Sequence, residues 1–476
     1  MSEKIILYTP ATGFPDLEAK IAYGLARVGI EAFECEKVRI KPFAGYYAVE
    51  MEGDMKILND VFKLLCNRLL QSEYIFLNTP GIKRSGKQGE KGWNLLARED
   101  EKHQLDKYLK FSFSMKNEAG EPVCNHEGSK IGVQIGFSAG TSYHQSRDKI
   151  DTQKDKRGLH RPTSPKKLCK TCGLLATLGM WFASFIFNIK EKEVMVIPIP
   201  EDVITGADLE RIFSVQHHLR RDFLPADIPS TLIPLVFLSK IPSTTEMFRD
   251  FKLFIALLVR QAQVYHIDSI SLIAISDYLK FLENPYNTAS VDRMLQKEAF
   301  GALQELNKVI YYKNLSLLLS FPRLYVQETS TDNFVNLLYP ETSRYFLKEV
   351  AMIKPEIIEN EAIGSVARTL RYFIRDKKYH YADDIRNARK DSKDFEETIV
   401  KMLREAELRR VQEEEKKKAG KEHKFVNIPN EKEIKELFQL ANKNFDEVKT
   451  ALVIIAFSFP TKGKEELEIK EEVQNA

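Results

Sequence analysis

Cys169 and Cys172 stand in a C-x-x-C spacing within KKLCKTCGLLATLG, immediately before an apolar run, in a chain with only five cysteines. Two thiolates separated by two residues can reach one tetrahedral zinc ion from a single turn, and a closed structural site needs two further ligands. Cys124 and His126, in VCNHEG, are the nearest candidates upstream, with His144 and His160 between the two groups. The expected metal set is therefore Cys124, His126, Cys169 and Cys172, holding structural zinc. Two other readings of the pair stay open. A C-x-x-C at a helix start is also the thioredoxin-type redox arrangement, in which the helix N-terminus lowers a thiol pKa. The pair can equally be two buried cysteines of the core.

A second candidate is NTPGIKRSGKQGEKGW, residues 78–93. Gly81, Gly86 and Lys87 have the spacing of a phosphate-binding P-loop, yet Gln88 occupies the place where a Ser or Thr hydroxyl would meet Mg²⁺. The reading preferred here is a glycine-punctuated basic loop, in which Lys83, Arg84, Lys87 and Lys91 meet phosphates while the glycines allow close backbone approach. A metal-dependent nuclease or ATPase using the Gly81–Lys87 loop is the alternative.

Charge is most uneven over residues 141–170, where Arg147, Lys149, Lys154, Lys156, Arg157, Arg161, Lys166, Lys167 and Lys170 face only Asp148, Asp151 and Asp155. Nine cations against three anions, beside an expected zinc knuckle near residues 120–175, is the footprint of a phosphate-backbone binder. Arg147, Lys154, Lys156, Arg157, Arg161, Lys166 and Lys167 are the expected nucleic-acid contacts of this segment. The H-E-x-x-H motif of metal catalysis does not occur. His380 with Asp383 and Asp384 reads as an ordinary helix with a surface acidic pair, and His217–His218 as structural. No catalytic residue is expected, and the chain is read as a non-enzyme.

The elements that would position these residues change in texture along the chain. KIILYT (4–9) predicts a strand, and Leu17, Ile21, Leu25 and Val28 mark one face of a helix that Gly29 ends. EAFECEKVRI (31–40) and YYAVEME (46–52) predict strands, a helix follows over 55–71, and YIFL (74–77) predicts another strand. This β-α-β-β-α-β order resembles a ferredoxin-like or split βαβ arrangement. KIGVQIGF (130–137), EVMVIPIP (193–200) and STLIPLVFL (230–238) predict further strands, with a buried helix from Gly173 and another over 207–221. Beyond Pro242 the pattern is helical, with helices expected over 246–266, 269–282, 289–319, 342–352, 363–375, 394–421, 431–442 and 445–457. The expected organisation is an α/β (α+β) domain with long basic loops over 1–242 and a mostly α-helical region over 243–476.

The totals bound the answer more loosely. With 71 Lys+Arg against 68 Asp+Glu, the net charge is only +3, so a polyanion surface must come from local clustering. Five sparse cysteines point to a reducing compartment. The N-terminal residues show no secretory pattern, and the apolar run 173–187 is short for a membrane span. A cytoplasmic protein without membrane contact is expected.

Taken together, LYTPATGFPDLEAKIAYGLARVGIEA, the basic loops and LCKTCGLLATLGM resemble the large subunit of type I-A CRISPR effector complexes, the archaeal Cascade. Ala22–Ala32 and Cys169–Gly179 carry the resemblance, which covers roughly the first 240 residues. It implies a non-catalytic subunit at one end of a crRNA-bound backbone. Such a subunit recognises the protospacer-adjacent motif in duplex DNA, helps to open it, and recruits a helicase and nuclease for antiviral defence. Target double-stranded DNA, crRNA and the other effector subunits would be its partners.

Overall fold

The computed structural model describes residues 3–11, 14–71, 83–85, 91–93, 153–154, 160–161, 170–189, 192–219, 225, 227–241, 244–261, 264–314, 326–328, 334–390, 393–421 and 423–458. The chain divides into two compact units, Met1–Asp227 with Ser243–Ile275, and Ile228–Pro242 with Ser276–Ala476. The first is α/β with two antiparallel sheets, and the second is mostly helical.

The first unit is built around helix α1 (Pro15–Ala32). Pro15 opens it with a preset φ, and Asp16 and Glu18 lie in its first turn, where the helix dipole favours carboxylates. Fourteen of its residues are buried, because neighbours cover it on every side. Strands β1 (Glu3–Tyr8), β2 (Arg39–Phe43) and β3 (Tyr46–Gly53) form the first sheet. Alternation sends Ile5, Leu7, Ile40, Val49 and Met51 inward and leaves Lys4, Ile6, Arg39 and Lys41 outward. Helix α2 (Met55–Gln71) follows, as its apolar spacing predicts.

Between α2 and the next long helix the described residues include two short antiparallel pairs, β4 (Lys83–Ser85) with β5 (Lys91–Trp93), and β6 (Gln153–Lys154) with β7 (His160–Arg161). The strands expected at 74–77 and 130–137 lie outside the described residues. Helix α3 (Lys170–Ala183) then packs along α1. The apolar run continues past Ser184 as a strand, β8 (Phe185–Ile189), which pairs with β9 (Lys192–Pro200). β10 (Ile204–Thr205) leads into helix α4 (Gly206–His218), whose Thr205 and Asp208 form a reciprocal capping box.

The first sheet runs in the order β1-β3-β2-β10, so its fourth strand comes from beyond the long insertion and lies beside β2. The expected strand over 31–40 begins only at Arg39, since α1 runs on to Ala32 and Cys35–Lys37 form a 3-10 turn. The second sheet has the order β12-β11-β9-β8. Its β11 (Phe251–Gln261) and β12 (Val264–Ala274) replace the helices expected over 246–266 and the first part of 269–282. A long apolar run does not by itself distinguish buried strand from buried helix, and here pairing with β9 decides the outcome.

The opposite substitution occurs in the second unit, where the strand expected over 230–238 is a 3-10 turn followed by helix α5 (Ile233–Ser239). Pro234 lies in its first turn, where the missing N–H costs nothing, and Ile233 through Leu238 are all buried. Residues 228–242 thus join the helical unit and 243–275 the α/β unit, so the chain crosses between units on both sides of the boundary expected at 242.

Over the helix expected at 342–352 an α-helix, Pro340–Tyr345, passes into a π-helical turn, Phe346–Val350. Residues 315–319 of the helix expected over 289–319 lie outside the described residues. The other remaining expected helices are present. Helix α6 (Ser276–Leu282) precedes α7 (Pro285–Gln296) and α8 (Phe300–Tyr312), which divide the stretch expected as one element. Helix α9 (Glu361–Arg375) turns Ile363, Val366, Leu370 and Phe373 into the core against α12 (Phe445–Ser458). Helix α10 (Asp394–Lys418) buries Phe395, Ile399, Met402 and Ala406 in its first half and ends in solvated charge. Helix α11 (Glu431–Lys443) is capped by Asn430.

Candidate nucleic-acid interface

The two short ribbons give five of the expected phosphate contacts a defined backbone setting. In the first, Lys83 stands opposite Trp93, Arg84 opposite Gly92, and Ser85 opposite Lys91. In the second, Gln153 stands opposite Arg161 and Lys154 opposite His160. Opposed residues of an antiparallel pair share a face. A basic residue occurs in each of these five opposed pairs. Lys87, Arg147, Lys156, Arg157, Lys166 and Lys167 lie outside the described residues.

The first ribbon also bears on the P-loop spacing. A P-loop runs from a strand through its glycine-rich turn into a helix N-terminus. Here Gly86 and Lys87 fall between two strands paired with each other, and residues 91–93 are strand rather than helix.

Of the expected zinc ligands, Cys124, His126 and Cys169 lie outside the described residues. Cys172 is fully buried in the first turn of α3, in the helix wall that faces the core. Among the described residues no group of three or more His, Cys, Asp and Glu side chains is arranged to hold a metal ion. Elsewhere, burial pushes the Cys66 thiol well above its ordinary range. Desolvation raises Cys35, with the carboxylates of Glu36 and Glu210 adding to it. Both thiols are accordingly poor nucleophiles.

The described parts of the two segments that carry the family resemblance, Ala22–Ala32 in α1 and Lys170–Gly179 in α3, pack against each other. A Cβ at Gly24 would stand 2.1 Å from the Leu175 carbonyl oxygen, and one at Gly179 would stand 1.8 Å from that of Lys20. The helices approach backbone to backbone at these glycines. Tyr23, one residue before Gly24, donates its hydroxyl to the Pro198 carbonyl at 2.6 Å and ties α1 to the second sheet. The helix that ends the basic insertion is thereby locked to the centre of the unit.

The remaining histidine and carboxylate groups have structural surroundings. His218 Nδ1 lies 2.8 Å from the Ser214 carbonyl at the end of α4, and its ring meets that of His217 edge-on. Asp383 pairs with Arg386 at 3.5 Å, and the His380 ring lies 4.1 Å from that of Tyr381. Sequence reasoning misses the cluster around Glu405, which binds Lys378 and accepts from the Tyr381 hydroxyl at 2.7 Å and Arg409 at 3.5 Å. Burial alone would raise the Glu405 carboxyl. The hydrogen bonds from Lys378 and Tyr381, together with the charges of Lys378 and Arg409, outweigh it and hold the group below its ordinary value. This is a fully engaged structural network in the helical unit.

No helix among the described residues is long and apolar enough to cross a membrane. No protein-family model matches the chain, and no curated protein matches it.

Proposed function

We propose that this chain is the non-catalytic large subunit of a type I-A CRISPR RNA-guided surveillance complex, acting in the cytoplasm in antiviral defence. In this reading it binds target duplex DNA, recognises the protospacer-adjacent motif, contacts crRNA and the other effector subunits, and recruits the helicase and nuclease. The observation that carries the reading is the concentration of basic residues in the insertion between α2 and α3. Lys83, Arg84, Lys91, Lys154 and Arg161 occur there on paired strands, in a chain whose overall charge is nearly balanced. Phosphate contacts of this kind fix register on a duplex, and glycines beside them admit the backbone close to it. The packing of Ala22–Ala32 on Lys170–Gly179 supports the family assignment, since both resembling segments belong to one structural unit.

The test is duplex binding across a salt titration with Lys154, Lys156 and Arg157 changed together to Glu. Binding should weaken, and the slope of log affinity against log salt should fall by about 0.9 for each phosphate no longer neutralised. Unchanged affinity and slope would overturn the reading. ATP turnover that depends on Mg²⁺ and disappears in Lys87→Ala would overturn its non-catalytic part.

A further inference from the structure

The outer face of the first sheet carries a cluster of aromatic rings beside the cations Arg39 and Lys41. Register places Tyr8 opposite Ala48 and Ala48 opposite Lys41, while Phe43 stands opposite Tyr46 across the turn that joins β2 to β3. Gly45, with φ of +88°, makes that tight turn and has open space around it. The Phe43 and Tyr46 rings stack with centroids 4.9 Å apart and planes 5° from parallel, and Tyr8 lies 6.2 Å from Tyr46 on the other side. The Lys41 ammonium lies 5.4 Å from the centre of the Phe43 ring.

Core packing does not explain this arrangement. The inward residues of the same strands, Ile5, Leu7, Ile40, Tyr47 and Val49, already supply the buried face. Phe43 is 40% exposed, and Ile6 on the same outward face is 36% exposed. The same outward face carries Lys4, Arg39 and Lys41 against Glu50, which stands opposite Arg39, and Glu52, which stands opposite Lys4. Lys4 pairs with Glu50 at 3.4 Å and Lys37 with Glu34 at 2.8 Å, which neutralises those carboxylates. Arg39 and Lys41 are both exposed, and neither has a carboxylate within ion-pair distance among the described residues.

An exposed Phe43 ring stacked on half-buried Tyr46, with Tyr8 beside it and the cations Arg39 and Lys41 adjacent, matches unstacked nucleobases joined by phosphates. A duplex cannot use the rings, because its bases are already stacked on one another. An apolar protein partner would leave Arg39 and Lys41 without counter-charge. We infer that this sheet face binds single-stranded nucleic acid, with bases stacking on Phe43, Tyr46 and Tyr8 and phosphates meeting Lys41 and Arg39. The flexible Lys41 side chain swings off the Phe43 ring to admit a base and then pairs with its phosphate. The inference deepens the nucleic-acid reading above and rests on it for context, but it uses residues outside the basic insertion.

The experiment measures binding of the full chain to labelled oligo-U, oligo-dT and a mixed duplex, with 5-iodouridine cross-linking to locate the bound strand. Phe43→Ala and Tyr46→Ala should each weaken single-strand binding about tenfold while leaving duplex affinity intact, and Phe43→Trp should retain it. Lys41→Gln should lower the single-strand salt slope by about 0.7. Equal loss with oligo-U and oligo-dT identifies base stacking alone as the recognised chemistry, and a loss confined to oligo-U adds the ribose hydroxyl. Cross-links at Phe43, Tyr46 or Tyr8 support the inference even if the charge reversal in the basic insertion leaves duplex binding unchanged, in which case the earlier reading falls alone. The inference is overturned if wild type binds neither oligonucleotide at low salt. It is equally overturned if folded Phe43→Ala binds both as wild type does, or if this variant instead dissociates a dimer of the chain.

Discussion

A methyl group added at Gly179 would stand 1.8 Å from the carbonyl oxygen of Lys20, a separation no Cβ can adopt without displacing a helix. The obstacle is backbone rather than a flexible side-chain tip, so relief requires α1 and α3 to move apart and loosen their packing from end to end. Overpacking a core commonly costs about 1–3 kcal/mol. Gly179→Ala should lie at or above the top of that range, and Gly24→Ala, aimed 2.1 Å from the Leu175 oxygen, should behave alike. Denaturant midpoints followed by circular dichroism would check both. A shift within error of wild type would mean that the helices do not cross where these glycines place them.

The same crossing buries charge. Lys20 Nζ lies 3.4 Å from Asp16 Oδ2 one helical turn away, and both side chains have no exposed surface. Burial lowers the Lys20 pKa, and the charge and hydrogen bond of Asp16 work against that fall. Removing one member of such a pair leaves the other charge buried, typically at a cost of about 3–5 kcal/mol. Lys20→Met should therefore destabilise strongly, and Asp16→Asn combined with Lys20→Met should recover part of the loss. A double variant no better than Lys20→Met in a denaturant series would show that the two groups are not energetically coupled.

Local signals and non-local pairing account for what is legible in the sequence. Helix α1, helix α2 and strand β3 are readable because Pro15, the spacing of Leu17, Ile21 and Leu25, and the alternation through Tyr46–Met51 are all local. Phe251–Ala274 misleads because its apolar residues satisfy helical spacing as well as strand alternation, and only the neighbouring β9 makes it a hairpin. Ile233–Ser239 misleads in the other direction, although Pro234 is a signal that can be weighed as a helix start. The aromatic face is hidden for a related reason. Tyr8, Phe43 and Tyr46 are scattered through three strands, and no window of sequence shows that the β1-β3-β2 register gathers them. The basic stretches are visible as composition, while the ribbon pairing that organises Lys83 with Trp93 or Lys154 with His160 is not.

Asn430 holds the start of α11 by accepting from the Glu433 amide at 2.9 Å, and Glu433 Oε2 accepts in turn from the Asn430 amide at 2.7 Å. Glu433 also accepts from the Ser365 hydroxyl at 3.1 Å, which joins the cap to α9. An N-cap Asn replaced by Ala typically costs about 1 kcal/mol. Asn430→Ala should reach or exceed that value, whereas Asn430→Asp should be nearly neutral because it keeps the acceptor. Thermal melts of the two variants would check this. Equal loss in both would show that the amide nitrogen, rather than the accepting oxygen, matters at position 430.

Glu405 yields a dependence on pH whose sign follows from its surroundings. Its carboxyl titrates below the ordinary value of 4.5 in the folded chain, despite burial, because Lys378, Tyr381 and Arg409 favour the ionised form. Around that ordinary value the unfolded chain then binds more protons than the folded one at this site. The stabilisation is fully present above about pH 4.5 and is lost as pH falls through the lower folded value. Glu405→Gln keeps the shape and removes the charge, so it should be less stable than wild type at pH 7 by about 1–3 kcal/mol. That gap should narrow steadily below pH 4.5, where the wild-type carboxylate is itself being protonated. Urea denaturation of both proteins at about pH 7, 5 and 3.5 would measure it. A constant gap across that series would place the effect in packing and remove the carboxylate network as its cause.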